Sequence, residues 1–194
     1  MTLSARRSRT ARPAQVFTTR WSCSRTSSGG YTYHDGDETI EADPDGIPVG
    51  NGGHLVNRDA TDWKTFGLAI KTNGSYDRDG LSATVRLQRA SRIVKANASP
   101  EPVTKGSPIT VTGTVQRANW SAHRYDNHGG RLVNPQFKPA GSSTCTTVKT
   151  VTASSTGYLK TTATATQDGT WRWRYIGNTT TGASNSAGDY VDVT

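Results

Sequence analysis

Gln167-Asp168-Gly169-Thr170-Trp171-Arg172-Trp173-Arg174-Tyr175 reads as a tight turn running into a strand. Trp171, Trp173 and Tyr175 fall on one face, and Arg172 and Arg174 on the other. That alternation is the period of two expected of a half-buried strand. Rings at alternate positions of a central strand fill the core of a β-sandwich. The outward arginines form a solvated face, or a surface for acidic polymers.

Working outward, turn signals recur every 8–12 residues, the spacing of a sandwich. Residues 91–97 form a strand, Ser99-Pro100-Glu101-Pro102 a break and Lys105-Gly106 a turn. Ile109, Val111 and Val115 then alternate with Thr110, Thr112, Thr114 and Gln116. Val133, Pro135 and Phe137 share one face of the next strand. Pro135 lacks an amide donor, which predicts an edge or irregular strand. Val148 and Val151 are out of phase, which predicts a bulge or a switch of sheet. Leu159, Thr161, Ala163 and Ala165 mark a strand, and Asp189-Tyr190-Val191-Asp192-Val193 the last one. Seven strands from Ser91 onward match the simple immunoglobulin-like plan, with the Asp168-Gly169 turn where such domains place their corner aromatic. The fold class is therefore all-β, with a seven-stranded immunoglobulin-like sandwich over residues 91–194 and almost no helix.

Upstream the signals thin out. Tyr31-Thr32-Tyr33 suggests a short strand, and residues 35–53 an acidic loop rich in Gly and Pro. Phe66, Leu68 and Ile70 share a face, as do Leu81, Ala83, Val85 and Leu87. Residues 73–80 read as a turn-rich connection. Residues 31–90 thus read as a small or truncated β region with an acidic loop, which either leans on the sandwich or is a reduced version of a larger domain. Residues 1–30 carry six Arg and no acid, with no apolar run, and read as a disordered basic tail.

The chain carries a net charge of +8 over 194 residues. The tail contributes +6, residues 31–95 −2 and residues 96–194 +4. Basicity concentrated in a tail binds polyanions without specificity. No helix-turn-helix, RNA-recognition or zinc-finger pattern stands behind it, so no specific nucleic-acid function is expected. No stretch approaches the roughly 18 apolar residues of a membrane span. Residues 2–25 also lack the apolar core of a secretory signal, about 7–15 residues long. Cys23 lies in the tail and Cys145 in a loop, and neither fits the inter-sheet disulfide of immunoglobulin domains.

Several segments resemble a family of secreted actinobacterial immunoglobulin-like β-sandwich proteins, often described as calcium-binding or uncharacterised. They are Asn97-Ala98-Ser99-Pro100-Glu101-Pro102-Val103, Ile109-Thr110-Val111-Thr112-Gly113-Thr114, Arg117-Ala118-Asn119-Trp120, Thr147-Val148-Lys149-Thr150-Val151, Gly169-Thr170-Trp171-Arg172-Trp173 and Gly188-Asp189-Tyr190-Val191-Asp192-Val193. The likeness is dense over residues 91–194 and fainter at 30–37 and 63–66. It implies an exported or cell-surface, non-catalytic protein and carries over no catalytic residue. Three departures point to an altered or decayed paralogue. An Arg/Ser-rich stretch replaces the signal peptide, the N-terminal β region is shortened, and Pro135 and Cys145 stand where relatives carry a hydrophobe and an aromatic.

The best candidate chemistry is the acidic run Asp35, Asp37, Glu38, Glu41, Asp43 and Asp45. Calcium takes six to eight hard oxygen ligands, which clustered carboxylates and loop carbonyls supply. Glu41-x-Asp43-x-Asp45-Gly46 starts like a calcium loop, but Gly52 stands where the bidentate Glu belongs. The bland reading is a solvated loop. His123 and His128 lack a third ligand at zinc spacing. No Gly-x-Ser-x-Gly or phosphate-cradling glycine motif is present. Trp120, in a loop, with Arg172 and Arg174, is the candidate platform for a glycan or protein ligand. The expectation is a non-catalytic secreted or cell-surface module with a structural, adhesive or protein-binding role. A calcium-binding module is the alternative, and a carbohydrate-binding module taking cell-wall glycan the second. No cofactor other than calcium is implied.

Overall fold

The computed structural model describes residues 2–6, 16–20, 48–49, 53–70, 76–79 and 84–194, with side chains described at 55–63 and 84–194. The acidic run at residues 35–45 and the expected strand at 31–33 lie outside the described residues.

The protein is all-β, and among the described residues the helical content is one three-residue 3-10 turn at Asn57–Asp59. Upstream of the sandwich, β1 (Thr2–Arg6) pairs with β2 (Val16–Arg20). The strand pair β3 (Pro48–Val49) and β4 (Gly53–His54) is separate. β5 (Asp62–Ile70) pairs with β1, β6 (Tyr76–Asp79) and β7 (Thr84–Arg86). Thr2–Arg6 and Val16–Arg20 thus depart from the expected disorder of residues 1–30. Val16, Phe17, Thr18 and Thr19 suit a strand by shape, and pairing satisfies their backbone groups. Residues 76–79, read as part of a turn, instead form a strand on the β5 ladder. Val85 and Leu87 were expected to share a buried face. Val85 is half exposed, and only Leu87 packs inward, against a core that the alternation does not reveal.

From Ser91 two sheets face each other. In the first, β9 (Pro108–Asn119) is central. β8 (Ser91–Ser99) flanks one side, and β14 (Tyr158–Thr164) and β10 (Arg124–Asn127) share the other. In the second, β11 (Leu132–Pro139) and β15 (Gly169–Tyr175) are central. β12 (Thr146–Thr147) and β13 (Val151–Thr152) form one interrupted outer row. β16 (Ser184–Asn185) and β17 (Asp189–Val191) form the other. Counting interrupted rows once gives three rows against four, the seven positions expected. The arm β10 carries no apolar alternation of its own, and its pairing with β9 makes it a strand.

Pro135 predicts an edge or an irregular strand; β11 is internal, and the irregularity lies in the row beside it. The proline accepts Val148 N–H at 3.0 Å on the β12/β13 side. Its missing donor therefore falls at the interruption between those two segments, where no ladder bond is demanded. At the other edge, the break at Pro100 and Pro102 lets the chain cross sheets. Val103 N–H donates to Asp192 O, and Thr194 N–H to Val103 O, each at 2.9 Å, in a parallel bridge of Val103 with Val193.

The main core contains Ile93, Ile109, Val111, Val115, Val133, Leu159, Trp171, Trp173, Tyr175 and Val191. The aromatic face read from the sequence is therefore internal. Trp173 has no exposed surface, and its indole N–H donates to Thr112 O on the opposing sheet at 2.7 Å. A Cβ at Gly113 would sit 3.1 Å from that indole, so the missing side chain is what admits the ring. At the entrance to β15, a Cβ at Gly169 would lie 2.5 Å from Lys138 O. The neighbouring Asp168 carboxylate accepts Val193 N–H at 2.8 Å and anchors the last segment.

A second core forms where the β9–β10 hairpin projects beyond the sandwich. Trp120 and Ala118 pack there with Leu55, Ala60 and Trp63, so the core spans the 90/91 boundary. Asn57 joins the two parts. Its Nδ2 donates to Asn119 Oδ1 at 2.8 Å, and its Oδ1 accepts Trp120 N–H at 3.0 Å. Its own N–H donates to Ser121 Oγ at 3.1 Å. Asn57→Ala should cost about 2 kcal/mol in urea unfolding, since it removes two hydrogen bonds and orphans a half-buried amide. Hydrogen exchange should speed up first at Trp120 and Asn119. Unchanged exchange there would mean that Asn57 does not hold the junction.

Candidate functional site

The structure separates the residues nominated from the sequence. Trp120 is fully buried, so it is not a stacking platform. Its ring is covered by residues 55–63, a cover that the sequence does not announce. His123 sits at the hairpin tip with φ 51°, and His128 is buried, in edge-to-face contact with Tyr175 at 5.9 Å between centroids. Among the described residues no group of three or more His, Cys, Asp or Glu is arranged to hold a metal. Among them, too, no helix is long and apolar enough to cross a membrane.

Arg172 and Arg174 do lie on the outer face of β15. Arg172 is committed to structure: its Nε donates to Gln136 Oε1 at 2.9 Å, and Gln136 Nε2 donates to Thr147 Oγ1 at 3.1 Å. This chain of side chains crosses three rows and explains why Gln136 is buried on an outward position. Arg174 is exposed, opposite Asn134 and Asn185.

Two features emerge that were not nominated. The first is an apolar cleft of about 240 Å³ between the sheets, on the side where β12 and β13 part. Phe137, Val148, Ala163, Trp171 and Val193 line it. Phe137 and Trp171 form its floor, with ring centroids 4.9 Å apart. Val148 stands at the rim, 46% exposed. Beside it, Lys149 Nζ donates to Thr162 O at 2.7 Å and covers one acceptor on the β14 edge. The volume falls below the roughly 300–1,000 Å³ of ligand pockets, and suits one or two apolar side chains.

The second feature is cationic. At the end of the sandwich opposite the cleft, the inward phase of β9 continues from Val115 to Arg117, and that of β11 backwards from Val133 to Arg131. Arg117 Nη1 lies 3.4 Å from Thr181 Oγ1, and Arg131 Nε donates to Gly129 O at 3.1 Å. Arg89, buried, donates from Nε to Ala118 O at 2.6 Å. Burial first, then the charge of Arg117, lowers the Arg89 guanidinium to about 10, against the opposing effect of Asp126. Burial, followed by the charges of Arg117, Arg131 and Arg89, holds the His128 imidazole down at about 4. Burial pushes the Tyr175 hydroxyl up, against the pull of Arg131 and Arg117. The available signal was phase: an arginine at an inward position at the end of each of two strands.

His128 gives a pH dependence with a definite sign. Its ordinary pKa is about 6.5. With a folded value of about 4, the unfolded chain takes up the proton first as pH falls. Stability should be full above about pH 6.5, fall on the order of 3 kcal/mol towards pH 4, and then level off. Urea midpoints measured across that window should decline in the wild type and flatten in His128→Gln. An equal decline in both would remove His128 as the cause.

No family model matches the chain, and no curated protein is similar to it. Among solved structures, a tetra-tandem repeat in the extending region of a large adhesion protein aligns with 14% identity and a TM-score of 0.37. The alignment covers 97% of this chain and 40% of that one, so the chain spans well under half the length of that structure.

Proposed function

We propose that this chain is a non-catalytic, secreted or cell-surface immunoglobulin-like module, and that it works by holding an extended segment of a partner protein. One observation carries the reading: the apolar cleft between the sheets is open and has room for one or two anchoring side chains. The surface around it favours the same occupant. β12 and β13 form an outer row of their sheet, and an extended chain can add to such an edge while its side chains fill pockets. Trp171, about 6% exposed, offers the ring edge that an apolar anchor would touch. A glycan would need exposed rings, and the one nominated for that purpose, Trp120, is covered.

A displayed library of extended peptides, each with one Leu, Phe or Trp anchor, provides the test. Peptides selected on the wild type should bind in the micromolar range, typical of a small transient contact. They should quench tryptophan fluorescence. Val148→Asp places a charge on the rim and should weaken them at least about tenfold, since an ion beside an apolar contact is poorly tolerated. If selection yields no binders, or if the binders ignore Val148→Asp, the cleft is not the contact site.

A further inference from the structure

The cationic end of the sandwich has unfinished chemistry. Two polar atoms there are buried without a hydrogen-bond partner: Tyr175 Oη and His128 Nε2. Their residues are 2% and 6% exposed. Orphaned polar atoms at this depth are rare in native proteins, and commonly mark the place of a water or an ion. What surrounds them decides which. Arg117 and Arg131 project from the two facing sheets at positions in phase with Val115 and Val133. Tyr175 stands opposite Val133 on the neighbouring strand. Neither arginine forms an ion pair among the described residues. Three guanidinium groups thus crowd one end of an apolar core, and Asp126, the acid that acts on Arg89 among the described residues, is already held by Arg124 Nε at 2.8 Å and by Asn119 Nδ2. A water would satisfy the hydroxyl but would leave the cations mutually repelling.

We propose that this end of the sandwich is a binding site for a small oxyanion, held between Arg117 and Arg131 and hydrogen-bonded by the Tyr175 hydroxyl and the His128 ring. The planar fork of a guanidinium matches the paired oxygens of a carboxylate, sulfate or phosphate. Two forks from opposite sheets grip such a group from both sides. Arg117 and Arg131 are only half-buried, so the site opens to solvent along them. Arg89 lies behind, tied to Ala118 O, and adds charge without occupying the site. The site is separate from the apolar cleft at the other end and does not rest on the function proposed for it.

Isothermal titration calorimetry and thermal unfolding of the full chain with sodium sulfate, phosphate and acetate, against sodium chloride at matched ionic strength, test the proposal. Wild type should show saturable binding of at least one oxyanion, with a midpoint of about 1–10 mM, reasonable for a small ion with two guanidinium contacts. Arg131→Gln should weaken it at least about tenfold, since charged hydrogen bonds are the strong ones. Sulfate stabilises proteins generally by exclusion, and that non-saturating part should persist in the variant. Tyr175→Phe guards against misfolding: it deletes one orphaned oxygen, so it should leave the anion-free protein at least as stable while losing part of the saturable response. Absence of saturable binding in the wild type, or the same binding in wild type, Arg131→Gln and Tyr175→Phe, overturns the proposal. Acetate, sulfate and phosphate bound in clearly different degrees would sort carboxylate from tetrahedral ligands within it.

Discussion

The sandwich depends on one indole. Trp173 spans the gap between the sheets and donates its N–H to Thr112 O on β9. Facing sheets stand about 10 Å apart, and the indole is long enough to reach the backbone of the opposite one. The hydrogen bond fixes where along β9 the second sheet sits, and Gly113 supplies the space for the ring. With that register set, Trp171 falls beside Phe137 at one end and Tyr175 beside His128 at the other. The two ends then differ in chemistry, although the same alternation builds both.

The difference follows from what each end has to cover. At the Trp171 end the outer row parts between β12 and β13, because Pro135 offers no amide there, and the core is left open to one side. At the Tyr175 end the strands overrun the apolar core by one inward position each. That position is arginine on β9 and on the approach to β11. Beyond it, the outer face of the β9 tip is buried by a separate segment, with Asn57 making the polar joints. A segment of the upstream region thus completes the sandwich rather than merely preceding it.

Much of the sandwich was legible because its strands keep strict phase. Ile109, Val111 and Val115, or Trp171, Trp173 and Tyr175, declare their buried face by position alone. The Val148 and Val151 phase error correctly marked irregularity, and the prolines after Ser99 correctly marked a break. What stayed hidden depends on partners far away in sequence. Trp120 looks exposed until residues 55–63 are laid over it. Arg117 looks like a solvated strand residue until Arg131 and Tyr175 arrive from the other sheet. Pro135 marks an edge or an irregular strand, and which of the two it is depends on the neighbouring row, which breaks beside it. The β10 arm carries no apolar alternation, and only its pairing to β9 makes it a strand.

The crossing of the first strand from one sheet to the other has a mechanical meaning. Ser91 enters at the arginine end, opposite Arg117, while Val193 lies by Asp168 at the cleft end. The segment leaving β8 runs parallel to the last one and is joined to it by bonds from Val103, Lys105 and Thr194. Tension applied along the chain across this unit pulls those parallel segments past each other. The bonds then carry the load together instead of opening one by one, and the unit resists extension as a lap joint does.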